Sequence, residues 1–318
     1  MKKVLLLLTL VTVFILSCKK EKSSVEGQKE KKKIKIGITQ IVTHPALDSA
    51  RKGFKDAIEE VGLEVVYDEK NANGEITTAN LIANNFVNSK VDLIYAIATS
   101  TAQAVVQSTK EIPVVFSAIT DPESAGLVRE NVTGISDRVD IKQQLELLMK
   151  INGEIKKIGI IYNSSEANSK IQVEDLKKAA KEFNIVIIEK SVTQVSEIPQ
   201  VSDSLIRESD AIYLPTDNLV ASVVNLITEK AVNEKKIVFG AEAAHVKGGA
   251  LVTQGVDYYE MGKEAGELAI EILKNNKKPS EIKYKAMELG DIIVNSKVLE
   301  KLGIKLPEEI ENKLKVID

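Results

Sequence analysis

Polar side chains of one kind recur where short apolar runs stop. They are Thr39, Gln40 and His44; Thr99, Ser100 and Thr101; Thr120 and Asp121; Asn163, Glu166, Asn168 and Ser169; Thr216, Asp217 and Asn218; and Glu242. Hydroxyls and free backbone N–H groups at a helix start near Thr99–Ala102 suit an anion, because orphan donors and the helix dipole point the same way. Asp217 or Glu242 suits a cation. A small zwitterion satisfies both, and an amino acid fits that description. A highly charged phosphate fits less well, since few of these positions offer Arg or Lys, and the absence of Trp disfavours a sugar. Taken singly, Ser100, Ser169 and Asp217 each stand where a helix starts and read equally well as caps. Asp121, Asp217 and Glu242 also leave open a paired-carboxylate hydrolase.

Other chemistry finds little support. The two histidines, His44 and His245, lie far apart, and the chain has no HExxH, CxxC, GxSxG or P-loop. Gly255 with Gly262-Lys263 has the wrong spacing for a phosphate cradle. We therefore expect no metal, no cofactor and no catalytic residue. Net charge is −3, with no basic stripe outside the amino-terminal region, so no nucleic-acid partner is expected.

The elements that must position these residues alternate. Ile34–Thr39 reads as a strand, Pro45–Val61 as a helix, Leu63–Tyr67 as a strand and Ile76–Asn88 as a helix. Leu93–Ile97, Ala102–Lys110, Val114–Ala118 and Val132–Ser136 continue the series. A second series runs from the helix Lys142–Ile151 through Ile158–Tyr162, Ser169–Phe183, Val186–Glu189, Pro199–Glu208, Ala211–Leu214, Leu219–Asn233 and Ile237–Gly240. The runs near Ile158, Val186 and Ala211 are continuously apolar, as strands buried on both faces of a parallel sheet are. The pattern predicts an α/β protein of two doubly wound, Rossmann-like lobes. Ligands of such sheets bind beyond the carboxyl ends of the strands, where the polar residues collect. The tail carries a long helix, Tyr259–Leu273, with small residues at Gly262, Ala265, Gly266 and Ala269 suited to close packing. Pro279 ends that region and Asn295–Leu302 begins another helix. These pieces must pack on lobes formed earlier, so the chain crosses between lobes more than once, a topology that suits a hinge.

The amino terminus reads separately. Lys2 and Lys3 precede the apolar run Val4–Leu16, which is shorter than the roughly 20 residues a membrane span takes. Cys18, the only cysteine, stands where that run stops. Ser17-Cys18 resembles the lipobox of bacterial lipoproteins, although Leu16 departs from its usual small residue; a plain secretory signal is the alternative. Lys19–Lys33 is too polar to bury anything and reads as a spacer. We expect residues 1–17 to form a signal peptide and 18–33 a lipid-anchored tether. Residues 34–137 with 256–278 form one lobe, and 138–255 with 279–318 the other.

Several segments, in order, resemble the type I periplasmic-binding-protein lipoproteins of ABC importers, specifically their tryptophan/tyrosine-binding group. They include Ile36-Gly37-Ile38-Thr39-Gln40 with His44-Pro45-Ala46-Leu47-Asp48, and Ala98-Thr99-Ser100-Thr101-Ala102-Gln103-Ala104. Thr120-Asp121-Pro122, Asn131-Val132-Thr133-Gly134, Ile158-Gly159-Ile160-Ile161-Tyr162-Asn163 and Leu214-Pro215-Thr216-Asp217-Asn218 follow. Gly255-Val256-Asp257-Tyr258-Tyr259 closes the set. The resemblance implies a monomeric, membrane-tethered protein that captures an aromatic amino acid by hinge closure and hands it to a permease with its ATPase. It implies that Thr99, Ser100, Thr101 and Thr120 hold the carboxylate. Asp217, helped by Glu242, would hold the amino group, and Gln40, His44, Asp121, Asn163 and Asn218 would line the cleft. Tyr213 and Phe116 are possible ring neighbours.

Overall fold

A computed structural model describes residues 33–317. Cys18, the signal peptide and the tether up to residue 32 lie outside the described residues. The first series forms β1 (Ile34–Gln40), α1 (Pro45–Glu60), β2 (Val65–Asn71), α2 (Ile76–Asn88), β3 (Leu93–Ile97), α3 (Thr99–Ser108), β4 (Val114–Ile119) and β5 (Val132–Ser136). The second forms α4 (Ile141–Ile151), β6 (Lys157–Asn163), α5 (Ala167–Glu182), β7 (Val186–Val192), α6 (Ile198–Glu208), β8 (Ala211–Leu214), α7 (Asn218–Ala221), α8 (Val224–Asn233), β9 (Ile237–Gly240), α9 (Ala243–Lys247) and β10 (Val252–Gln254). The tail adds α10 (Tyr258–Leu273), β11 (Lys285–Ala286), β12 (Ile292–Asn295), α11 (Ser296–Leu302), α12 (Glu308–Glu311) and β13 (Leu314–Ile317).

Two sheets result, ordered β11-β5-β4-β3-β1-β2 and β13-β12-β10-β9-β8-β6-β7. All the strand pairs are parallel except β10 with β12. In the first sheet β3, β4 and β5 are buried at every residue, because helices cover both faces and their Val/Ile-rich runs carry no polar face. The run near Val186 is a correction. It is the edge strand β7, bonded only to β6, and Val186 is 58% exposed. Leu219–Asn233 is likewise two helices rather than one, broken at Val223, whose backbone leaves the helical region (φ −137°, ψ 28°).

α10 returns to the first sheet and lies on α1. Contact is so close that a Cβ on Gly262 would stand 2.0 Å from the Ala50 carbonyl oxygen, and one on Gly53 would stand 2.1 Å from that of Tyr259. The chain passes between the lobes at 137–140, 255–257 and 287–291. These passages are hydrogen-bonded side by side: Met287 N–H donates to Ser136 O at 3.0 Å and Gly290 N–H to Gly255 O at 2.8 Å. The last passage corrects an expectation. Residues 279–287 stay with the first lobe, because β11 pairs with β5 and the Ile282 carbonyl accepts from the Thr133 hydroxyl.

Candidate functional site

β3 passes into α3 without a loop. Ala98 makes the turn at φ 82°, ψ 155°, a region that side chains avoid, so α3 starts at Thr99 rather than Ala102. Neighbouring β4 holds a second residue at positive φ, Ala118 at φ 59°, one position before its end. No side chain caps α3, which leaves its first-turn N–H groups to a ligand or solvent. The Thr99 hydroxyl is buried without a partner. Thr101, expected to touch a ligand, instead donates back to Ile97 O (2.7 Å) and Ala98 O (2.9 Å) and is fully buried.

Asp217 has its own partners. It is 0% exposed, and its carboxylate accepts from Val220 N–H (2.9 Å), Asn163 N–H (2.6 Å) and the Ser169 hydroxyl (2.6 Å). It caps α7 and ties β6, α5 and α7 together, so its oxygens already serve as a brace within the second lobe. Glu166 beside it accepts from Asn163, Asn168 and Asn218 side chains and from the N–H groups of Asn218 and Leu219. Burial first, then the Glu166 charge, pushes the Asp217 carboxyl up to about 7.

Between the lobes lies a polar chamber lined by His44, Asp137, Asn168, Thr216, Asn218, Glu242 and Tyr258, with Leu47, Ala118 and Ala221. Its volume is about 10 Å³, about the room one water needs. Glu242 Oε1, Asn168 Oδ1 and His44 Nδ1 are buried there without partners. Burial drives the Glu242 carboxyl up to about 8 and the His44 imidazole down to about 4. His245, behind Glu242, falls to about 3 for the same reason. Among the described residues no Lys or Arg is buried, while Asp137, Glu166, Asp217 and Glu242 all are. Asp217 and Glu166 are offset by N–H and hydroxyl donors. Glu242 keeps an unpartnered oxygen, so it is the acid that invites a cation.

Three contacts latch the lobes. His44 Nε2 meets Asn218 Oδ1 at 3.3 Å, Gln172 Nε2 donates to Thr120 Oγ1 at 3.2 Å and also to Thr216, and Arg138 joins Asp121 (3.1 Å) to Asp175 (2.9 Å). Thr120 and Asp121 therefore join the two lobes. Gln40 lines no cavity described here; it donates to Val42 O and Asp48 and fixes the entry to α1. Asn163, Ser100 and Asn218 line a larger interlobe cavity of about 380 Å³, walled also by Ile41, Val42, Ile76, Val195 and Leu219. Asn218 borders both chambers. Phe116 and Tyr213 are fully buried in strands and line neither.

Sequence reasoning missed Asp137, Gln172 and Tyr258. Asp137 follows β5 directly and obeys the same strand-end rule as the others. Gln172 lies one helical turn beyond Ser169, and Tyr258 follows an interlobe passage, so neither carried a local signal. Among the described residues, no group of three or more His, Cys, Asp or Glu is placed to hold a metal ion.

A family model described as "ABC transporter substrate binding protein" matches residues 35–315. A tyrosine-binding protein of Clostridioides difficile (strain R20291) is 42% identical over 286 residues, 86% of this chain and 82% of that relative. The structure of an ABC domain from Streptococcus pneumonia in complex with L-Trp is 33% identical and superposes with a TM-score of 0.85, covering 90% of this chain and 100% of that one. The ligand-free, open structure of a substrate-binding protein with adhesive properties from Clostridium difficile is 40% identical but superposes at only 0.68, covering 90% and 99%. The lobes here are thus arranged more nearly as in the L-Trp complex, despite the lower identity.

Proposed function

Because this chain belongs to the ABC transporter substrate-binding protein family, with the type I periplasmic-binding-protein fold, we propose that it captures an aromatic amino acid between its lobes. The carrying observation is the mismatch at the cleft: Glu242, a buried acid with an unpartnered oxygen, has no buried cation among the described residues to answer it. A ligand ammonium supplies that charge. The uncapped start of α3, with the Thr99 hydroxyl and Ser100, suits the carboxylate. The 380 Å³ cavity falls within the roughly 300–1,000 Å³ range of small-molecule sites, and its apolar wall suits an aromatic ring. The tyrosine-binding relative and the L-Trp complex support the ligand class.

Capture proceeds by population shift. The lobes open and close about the paired passages, and a ligand touching both lobes favours the closed form by its extra contacts there. The loaded protein then meets its permease, and the ATPase drives import. No helix among the described residues is long and apolar enough to cross a membrane; we assign retention at the membrane to a lipid on Cys18, which follows the apolar run Val4–Leu16. Titration calorimetry with tyrosine, tryptophan, phenylalanine and, as control, glucose tests the ligand class. Heat from the aromatic amino acids alone is expected; heat from glucose alone would overturn it. Cys18→Ser is expected to move the protein from the detergent phase to the aqueous one with binding intact.

A further inference from the structure

One hydroxyl in the chamber meets two acids. Tyr258 Oη donates to Asp137 Oδ2 at 2.8 Å and faces the Glu242 carboxyl in the same chamber. A phenol carries a single proton. Asp137 accepts that one at Oδ2 and accepts the Thr120 hydroxyl at Oδ1 (3.1 Å), so both its oxygens act as acceptors. Between Tyr258 and Glu242 a hydrogen bond then forms only if Glu242 is the donor.

We propose that ligand capture at this site exchanges one proton: Glu242 is a neutral carboxylic acid donating to Tyr258 until a ligand ammonium takes its place as the charge partner. The Glu242 O–H bond breaks and its proton passes to solvent. The carboxylate left behind pairs with the incoming ammonium, whose own protons stay on nitrogen. The inference rests on the reading of Glu242 as the ammonium partner.

Every group facing Glu242 is consistent with this state. Tyr258 from α10 and Asp137 from the end of β5 bring a dipole and a negative charge. His44 from the start of α1 lines the same chamber, and His245, on the helix that follows Glu242, has Nε2 3.5 Å from Oε1. Both imidazoles are neutral near pH 7, pushed down by burial to about 4 and about 3, so neither supplies a cation. Burial raises both acids; Tyr258 opposes the rise at each, Thr120 opposes it at Asp137 as well, and the Asp137 charge adds to it at Glu242.

The test is calorimetry of the full protein with tyrosine at pH 7 in buffers of different ionisation enthalpy. About one proton released per tyrosine is expected, with affinity rising about tenfold per pH unit between pH 5.5 and 7. Glu242→Gln, whose amide can still donate to Tyr258, is expected to bind more weakly and to release none. Infrared spectra give a second readout. The ligand-free protein should show a protonated-carboxyl band that tyrosine removes and that Glu242→Gln lacks. Tyrosine binding with no buffer dependence, or a band that survives in Glu242→Gln and vanishes in Asp137→Asn, would overturn the proposal. If no aromatic amino acid binds, the ligand reading fails by itself. The ligand-free band then still decides the state of Glu242, its absence counting against the proposal.

Discussion

Asp217 and Glu242 are both buried carboxylates following strands of the second sheet, yet their substitutions should fail differently. Asp217→Ala removes a helix cap and leaves the Asn163 N–H and Ser169 hydroxyl without their acceptor. It is expected to cost about 2 kcal/mol or more of folding stability, read as a lower melting temperature. Glu242→Ala is expected to cost about 2–5 kcal/mol of tyrosine binding, read by calorimetry, with the fold retained. A reversal of the two effects would return the amine to Asp217. From sequence both residues were legible as cleft acids, because both follow strand ends. What separates them is the count of donors around each, which depends on Asn163, Ser169 and Val220 arriving from three elements. Ala98 offers a third case. Gly at φ 82° removes strain of about 1–3 kcal/mol, so Ala98→Gly should raise the melting temperature.

At the scale of elements, the seam between α1 and α10 and the latch from α5 carry separate burdens. Gly262→Leu would drive a side chain into the Ala50 carbonyl and lift α10 off the first lobe; destabilisation of about 1–3 kcal/mol or more is expected in urea melts. Gln172→Ala removes the hydrogen bond to Thr120 across the lobes, together with the bonds to Thr216 within the second lobe, while leaving the first core untouched. It should enlarge the radius of gyration in solution scattering and weaken tyrosine binding about three- to tenfold. The seam was legible beforehand, since small residues at Gly262, Ala265, Gly266 and Ala269 share one helix face. The start of α3 was placed three residues late, because hydroxyl residues after an alanine read as loop. Nothing local announces that Ala98 will turn the chain at positive φ. β7 was misjudged as buried because an apolar run of four does not reveal whether a neighbour exists on both sides.

For the whole molecule, buried titratable groups set a pH profile for the ligand-free protein. Glu242 and Asp217 have folded values raised to about 8 and about 7, so the folded state holds protons that the unfolded chain loses near 4. Their contribution falls as pH rises through that window. His44 and His245 run the other way. Their folded values, about 4 and about 3, lie below 6.5, so stability from them grows with pH until about 6.5. Above 6.5 only the acids act. Melting temperature is expected to fall between pH 6.5 and 8.5, corresponding to roughly 2 kcal/mol, and to fall less in Glu242→Gln. A rise over that range would contradict the assignment. The three passages between lobes also govern the order in which the protein can be completed. Tyr259 on α10 bonds Asp56 on α1 across 203 residues. A growing chain that stops before Asp257 leaves the α1 face of Ala50, Phe54 and Ala57 uncovered. The first lobe is thus begun first and finished after most of the second. Long-range closure of this kind is slow, and a slow-folding chain stays extended long enough to be threaded through a narrow pore.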